Sequence, residues 1–419
     1  MIVELINTGT ELMMGRVLNT HQQWLCRQLA DRGYLVNRQV AVADSGPEIQ
    51  QAVRESLTRA DLVIVTGGLG PTSDDLTLNF IARLLGKSLH EDDRILAHIK
   101  EFFARRNRSM PERVRVQALV PDGAVVLPNP HGTAPGLAIE LKPNLFRADQ
   151  SSGWLILLPG PPRELRPMFF DSVVPLLGRE LPMEREFVCR TLRTIGLPES
   201  LAQERIEPAL RPMLEAGLAV GYCARPVEVD VRLSAQGTQA RVLVQNAETV
   251  VREQLGRRVY GADDEDLAMV LVRSLTERRQ TLALAESCTG GCIAHQITNV
   301  PGASVVLLTG LVVYSNQAKQ TFLGVRSETL VEHGAVSEVV AWEMADGARR
   351  TAGADFALSV TGIAGPTGGT DKKPVGTVFI GLSSPSGTVV ERHFNPFDRE
   401  TFKRVTAQQA LNQLRLALI

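Results

Sequence analysis

A chain of 419 residues exceeds what one ordinary hydrophobic core accommodates and implies roughly two to four domains. Its 44% hydrophobic and 22% charged residues are ordinary for a soluble globular protein, and a net charge of −1 offers no basic surplus for nucleic acid or an anionic membrane. No apolar run approaches the roughly 20 residues that span a bilayer, and the opening MIVELINTGTELMMG lacks the basic region of a signal peptide, so a cytoplasmic protein is expected.

From residue 1 to about 170, short apolar strands alternate with helical stretches. MIVELINTG reads as a strand, 20–32 as a helix ending near Gly33, LVNRQVAVAD as a strand and 47–59 as a helix. ADLVIVTGGLG is a buried strand running into glycines. Strand and helix in repetition predict a parallel α/β sheet. AVVLPNPHGTAPGLAIEL and WLILLPGPPREL look like late strands with Pro/Gly turns, separated by a polar insertion at 142–153 that reads as an exposed hairpin loop.

The stretch VTGGLGPTSDDLT carries the first chemistry. A strand empties into Gly67, Gly68 and Gly70, whose backbone N–H groups can approach an anion without Cβ obstruction. Thr72 and Ser73 add hydroxyls, and a helix starting near Asp74 would point its positive end at the same place. Asp74 and Asp75 are candidates to hold a Mg²⁺-type ion bridging protein and phosphate oxygens. The plainer alternative is a glycine-rich turn with an Asp helix cap. Thr8, Thr10 and Glu11 fall at the end of the first strand, on the edge where open α/β sheets bind ligands, and Glu11 is assigned to the same ion. NPHGTAPG and LPGPPREL supply two rigid turns bearing Asn129, Thr133 and Glu164, while His131 stands alone as a loop contact. No H-E-x-x-H or Cys/His cluster exists, which excludes a structural zinc site.

Together GTELMMG, GGLGPTSDDLT, NPHGTAPG and LPGPPREL resemble the molybdopterin-binding-like domain of the competence/damage-inducible CinA family. The resemblance implies a metal-dependent ADP-ribose pyrophosphatase releasing AMP and ribose 5-phosphate, with Asp74 and Asp75 matching the family's acidic pair. The 142–153 insertion departs from the compact pattern and is expected to affect substrate fit at that rim.

Residues 171–260 read as a small α+β unit: FVCRTLRTIGL a strand, PESLAQERIEPAL a helix, VEVDVRLSA a half-exposed strand and 239–255 a helix. The unit resembles a KH-like module but has no G-x-x-G loop to clamp a nucleic-acid backbone, so a spacer or dimer surface is expected.

Residues 261–419 form another α/β unit, with helices at 263–279, 291–299, 341–351 and 399–418. TLALAES, VVLLTGLVVYS and FALSVTG read as strands, and VGTVFIGLSS with TVVERHF as an antiparallel pair. In ESCTGG, Ser287 sits where a strand becomes a helix, a placement that suits either a nucleophile with nearby N–H groups or a helix N-cap. VVYSNQAKQ offers Tyr314 at a strand end and Lys319 on the following helix; a lysine acts as base near neutral pH only if its surroundings lower its pKa. A solvated helix lysine is the simpler alternative. SVTGIAGPTGGTDKKPVGTVF supplies a second glycine-rich loop with the hydroxyls of Thr361 and Thr367. The five cysteines, Cys26, Cys189, Cys223, Cys288 and Cys292, form no C-x-x-C pair and read as reduced thiols; Cys288 as nucleophile would need an activating partner that the sequence does not display.

AESCTGG, YSNQAK, GAVSE, TGIAGPTGG and KPVGTV resemble the nicotinamide-mononucleotide (NMN) deamidase domain at the C-terminus of CinA proteins. By position, this implies Ser287 as nucleophile, Lys319 as proton acceptor and donor, and Tyr314 as their hydrogen-bond partner. Thr289, Gly290, Gly362, Gly365 and Arg399 would hold phosphate or ribose, with oxyanion donors near Gly290 and Gly291 and no cofactor. Where the family shows G-D-R this chain has Phe397-Asp398-Arg399, which bears on the aim of Arg399. The expected architecture is two parallel-sheet-rich three-layer α/β/α domains (1–170 and 261–419) joined by the KH-like module at 171–260. The expected protein is a homodimeric bifunctional hydrolase of pyridine-nucleotide salvage. Two rivals are a molybdopterin-binding or adenylylating N-terminal domain and a non-catalytic partner in DNA uptake or recombination.

Overall fold

The computed structural model describes residues 1–72 and 75–419. The chain divides into two compact units, one of residues 1–188 with 236–238, the other of 189–235 with 239–419.

In the first unit a six-stranded sheet runs in the order Val36–Val42, Val3–Thr8, Leu62–Thr66, Gly153–Leu158, Gly136–Leu141, Val125–Leu127. The first four strands are parallel and the last two antiparallel. The three central parallel strands are buried throughout, as expected where helices cover both faces. Their side chains alternate between two cores: Ile6, Val63, Val65, Leu155 and Leu157 enter one, Leu5, Leu62, Ile64, Ile156 and Leu158 the other. Glu4 is buried on the same sheet, and its charge is met by the Arg59 guanidinium at 2.6 and 2.9 Å and by the Ser56 hydroxyl at 2.7 Å.

Two sequence expectations need correction here. The first unit does not stop near residue 170. The helical run from Pro162 continues through Phe169–Val173 and Val174–Glu180, because Phe169, Val173, Leu176 and Leu177 pack into the first unit's own core. The helix expected near Asp74 begins at Thr77, after a turn closed by Asp75. The 142–153 segment is, as expected, a largely exposed connection between two antiparallel strands, and it is fastened at two points. Asn144 is buried and donates to the Leu57 carbonyl at 2.9 Å, while Arg147 reaches the Arg59 carbonyl at 2.6 Å and Asp61 at 2.8 Å. Asp61 stands at the start of the strand whose other end delivers Gly67, so this segment lies at the sheet edge opposite the glycine-rich loop.

In the second unit, a four-stranded sheet has the order Ala219–Arg225, Glu228–Gln236, Phe187–Ile195, Val259–Ala262, and helices Glu199–Glu215 and Ala240–Leu255 bury one apolar stripe each. A five-stranded sheet follows in the order Leu307–Val312, Leu282–Glu286, Phe356–Gly362, Thr377–Ser384, Gly387–Phe394, its first three strands parallel and its last two antiparallel. Helices Leu267–Arg278, Cys292–Thr298 and Arg399–Ala417 share one core with this sheet through Leu271, Ile293, Phe402 and Leu411. Helix Glu338–Ala352 closes the other face through Val340, Met344 and Ala348. No helix among the described residues is long and apolar enough to cross a membrane.

Candidate functional sites

At the carboxyl ends of strands Val3–Thr8, Leu62–Thr66 and Gly153–Leu158 lies a cleft of about 400 Å³, the placement expected for a ligand site in an open α/β sheet. Gly67, Gly68, Gly70, Glu11, Asp75, Thr133 and Glu164 line it, as does Asp44. A Cβ on Gly68 would fall 2.0 Å from Thr77 Oγ1 at a φ of +67°, so only glycine lets the loop and the following helix meet. A Cβ on Gly70 would fall 2.3 Å from Asp75 Oδ2.

Hydrogen bonds among the predicted residues build the cleft. Asp75 accepts the Thr72 N–H at 2.8 Å and the Thr72 hydroxyl, so Thr72 closes the turn and is not a spare donor. Thr10 donates its N–H to Asp44 at 2.8 Å and accepts the Asp44 N–H on its hydroxyl at 3.1 Å. Asn129 and Glu164 are buried together: Asn129 Nδ2 donates to Glu164 at 2.8 Å and to the Ala134 carbonyl at 2.7 Å. Ser73 and Asp74 lie outside the described residues. Glu11, Asp44 and Asp75 supply the oxygen donors a hard cation takes, although no three such groups gather at one point among the described residues. Asp44 escaped the sequence reading, and its signal was the VAVAD strand ending on the same sheet edge.

In the second unit, strand Leu282–Glu286 delivers Ser287 to the carboxyl edge of the five-stranded sheet. Ser287 is not the helix cap. That role belongs to Glu286, whose buried carboxylate accepts from the N–H groups of Gly291 at 3.0 Å, Ile293 at 3.1 Å and Ala294 at 2.8 Å. With the helix start satisfied, the serine hydroxyl is released to another partner. Lys319 Nζ lies 3.0 Å from Ser287 Oγ. Its other contacts are the carbonyls of Val313 at 2.9 Å and Tyr314 at 3.2 Å. Lys319 is only 1% exposed, and burial lowers its pKa from the ordinary lysine value. The solvated-lysine alternative therefore fails on burial. Lys319 thus faces three acceptors, the serine hydroxyl oxygen and the two carbonyls; once it gives up a proton, its two remaining N–H donors can stay on the carbonyls while its lone pair turns to the serine O–H.

Tyr314 reaches this pair through its main-chain carbonyl, and its phenol points elsewhere. The ring is exposed and its hydroxyl accepts from Arg399 at 2.9 Å. Arg399 donates its other terminal nitrogen to the Gly365 carbonyl at 2.8 Å. Phe397 thus leaves Arg399 aimed at the glycine-rich loop, because Asp398 caps the helix Arg399–Ala417 through the N–H groups of Glu400 and Thr401.

Several expected ligand contacts are differently employed. The Gly290 N–H donates to the Ser287 carbonyl at 3.1 Å and the Gly291 N–H to Glu286, so neither serves as an oxyanion donor. The N–H groups of Cys288 and Thr289 carry no carbonyl partner among the described residues and lie against the Cys288 sulfur. The Thr289 hydroxyl is buried without a partner among the described residues. The Thr361 hydroxyl donates to the Ala335 carbonyl at 2.8 Å, which fastens the GAVSE loop to the sheet. Gly362 packs where a Cβ would sit 2.9 Å from the Thr377 carbonyl. Thr367 is exposed. Cys288 points into the apolar core, and burial pushes its thiol up to about 12, the opposite of an activated thiolate. Lys403, one turn beyond Arg399, brings its ammonium 3.7 Å from where a Cβ on Gly290 would sit; only its spacing on the last helix marked it in the sequence.

Comparison with known proteins agrees with this division. Residues 4–179 match the family model described as "Probable molybdopterin binding domain", 189–261 the "Damage-inducible protein CinA KH domain", and 264–418 the "CinA C-terminal domain". These matches, with the two α/β sheets and the small unit between them in sequence, define a three-part chain of molybdopterin-binding type, KH type and CinA C-terminal type. A competence-damage inducible protein of Symbiobacterium thermophilum is 44% identical over 100% of this chain and 99% of its own. A CinA-like protein of Akkermansia muciniphila is 44% identical over 98% of this chain and 95% of its own. A crystal structure of the competence/damage inducible protein CihA from Agrobacterium tumefaciens is 41% identical, covers 36% of this chain and 93% of its own, and has a TM-score of 0.35. The chain belongs to the competence/damage-inducible CinA family.

Proposed function

We propose that the protein is a cytoplasmic bifunctional hydrolase of pyridine nucleotides, deamidating NMN in its C-terminal domain and hydrolysing ADP-ribose in its N-terminal domain. The observation that carries the first activity is the buried Lys319 amine 3.0 Å from Ser287 Oγ with no carboxylate against it among the described residues. Lys319 takes the Ser287 proton as Oγ bonds to the carboxamide carbon and the carbonyl electrons move to oxygen. As the carbon–nitrogen bond breaks, the lysine ammonium gives its proton to the leaving ammonia. Water then repeats the sequence on the acyl-serine, yielding nicotinic acid mononucleotide and restoring the O–H.

For the N-terminal domain, the glycine-lined cleft is the phosphate-binding element, and Gly67, Gly68 and Gly70 let a diphosphate approach the backbone. A divalent cation held by Asp74, Asp75 and Glu11 would offset the diphosphate charge. Asn129 and Glu164 fix the turn that forms the cleft's far wall. The match to a molybdopterin-binding domain favours a second reading, in which this cleft takes a pterin phosphate. Homodimeric assembly belongs to the same proposal. Mass spectrometry of purified protein with NMN, and with ADP-ribose plus Mg²⁺, tests both activities. Ser287→Ala should abolish only ammonia release and Asp75→Ala only AMP release. Absence of AMP under every metal condition would remove the pyrophosphatase reading and leave the pterin one.

A further inference from the structure

A second cavity of the first unit, of about 640 Å³, adjoins the glycine-lined cleft and shares Thr133 with it. The turn between the two is held by the 2.8 Å bond from Asn129, which lines the cavity, to Glu164, which lines the cleft. The volume is usual for a small-molecule site, and the phosphate chemistry proposed for the cleft leaves it unused. Ile95, Val126, Pro128 and Pro135 give it apolar walls that suit a planar ring and offer nothing to a phosphate. Two half-buried polar groups interrupt those walls, each with one hydrogen-bonding atom unspent. Asp92 caps the helix Asp93–Ala104 through Oδ1, which accepts from the N–H groups of Arg94 at 2.8 Å and Ile95 at 3.1 Å. Its Oδ2 has no partner among the described residues. His98 Nε2 lies 3.1 Å from the Gly132 carbonyl. A carbonyl only accepts, so Nε2 carries the hydrogen, and Nδ1 of the neutral ring is an acceptor without a partner among the described residues. Unspent acceptors between apolar walls call for N–H donors, and a carboxylate repels phosphate.

We infer that this cavity holds the fused heterocycle of a phosphorylated ligand whose phosphate lies against Gly67, Gly68 and Gly70, with Asp92 Oδ2 accepting from the ring's exocyclic amine. The inference rests on the phosphate role of the glycine-lined cleft, which both readings of the N-terminal domain share. The heterocycle is adenine under the ADP-ribose reading and a pterin under the other, and Asp92 serves as the residue that selects an amine over a carbonyl in either case.

The test is calorimetric titration of the full-length chain with two ligand pairs, AMP against IMP and pterin against lumazine. The members of each pair differ by an amine or a carbonyl at one ring position. Wild-type protein should prefer the amine in one pair by roughly 10- to 100-fold, as expected for a hydrogen bond to a charged group, and the responding pair identifies the heterocycle. Asparagine caps a helix as well as aspartate does, so Asp92→Asn should fold. Its amide puts N–H donors where Oδ2 stood, and the preference should vanish or invert. A role confined to capping would weaken both members of a pair equally. Absence of discrimination in both pairs, or a preference that survives Asp92→Asn, would overturn the inference. AMP release from ADP-ribose with Mg²⁺, followed on the same samples, keeps the two failures apart. An Asp92-dependent preference without AMP release leaves the cavity standing and removes the hydrolase reading. AMP release without that preference does the reverse.

Discussion

Replacing Lys319 by Met removes the amine while keeping an unbranched apolar stem in the same buried channel. Two consequences can be worked out. Catalytically, the proton acceptor 3.0 Å from Ser287 disappears, and losing a group that serves in both half-reactions should cost at least about 10³-fold in kcat/KM for NMN. Energetically, the Val313 and Tyr314 carbonyls each lose a donor, a cost on the order of 1–3 kcal/mol per group left unsatisfied, partly offset because no amine need then be desolvated. The two terms differ in pH dependence. Burial lowers the Lys319 pKa in the folded chain, so between that depressed value and the unfolded value of about 10.4 the unfolded state binds more protons. Wild-type stability therefore rises with pH across that window, by at most about 1.4 kcal/mol per pH unit, and the Met variant lacks this rise. Urea unfolding of both proteins from pH 7 to 10, beside ammonia release over the same range, reads both effects. Parallel stability curves, or a variant retaining more than a tenth of the activity, would refute the assignment of Lys319 as a neutral base.

Other outcomes follow from single contacts. Glu286→Gln keeps an acceptor but loses the charge facing three N–H groups, and should cost roughly 1–2 kcal/mol in urea unfolding while lowering deamidation through a displaced Ser287 loop. Gly68→Ala places a Cβ against Thr77 at positive φ and should abolish AMP release while leaving ammonia release intact, measured on one sample. Cys288→Ala should leave NMN turnover within a few-fold of wild type, because its thiol is protonated and faces the core; loss comparable to Ser287→Ala would reverse the nucleophile assignment. Asn144→Ala should destabilise by about 1–3 kcal/mol in urea without changing KM for either substrate.

The sheets were readable because their signal is local. Runs such as LVIVT and GWLILL can only be buried strands, and the glycines after them mark the ligand edge. Ser287 and Lys319 were read as a pair from the resemblance of AESCTGG and YSNQAK to the deamidase domain, and the fold brings them together because their strands, Leu282–Glu286 and Leu307–Val312, are parallel neighbours. What escaped depends on contacts between distant residues. Nothing near Glu286 says that its carboxylate, rather than the Ser287 hydroxyl, closes the helix start. The direction of the Tyr314 phenol is set by Arg399, far along the chain. Asn144 looks like any polar loop residue until Leu57 is brought beside it. The boundary near residue 170 failed for a similar reason, since the apolar stripe of the 162–180 run has its partner in the first unit's core and not in the segment that follows.

The fastening of residues 144 and 147 beneath the first sheet has a practical side. Between those anchors and the strand at Gly153, residues 148–150 and 152 are exposed, on the edge remote from the glycine-lined cleft. A short tetracysteine tag or a fluorescent amino acid spliced there would ride on a rigid base without crowding a nucleotide. It would give the first unit its own optical readout of unfolding, separate from the chemistry of either half.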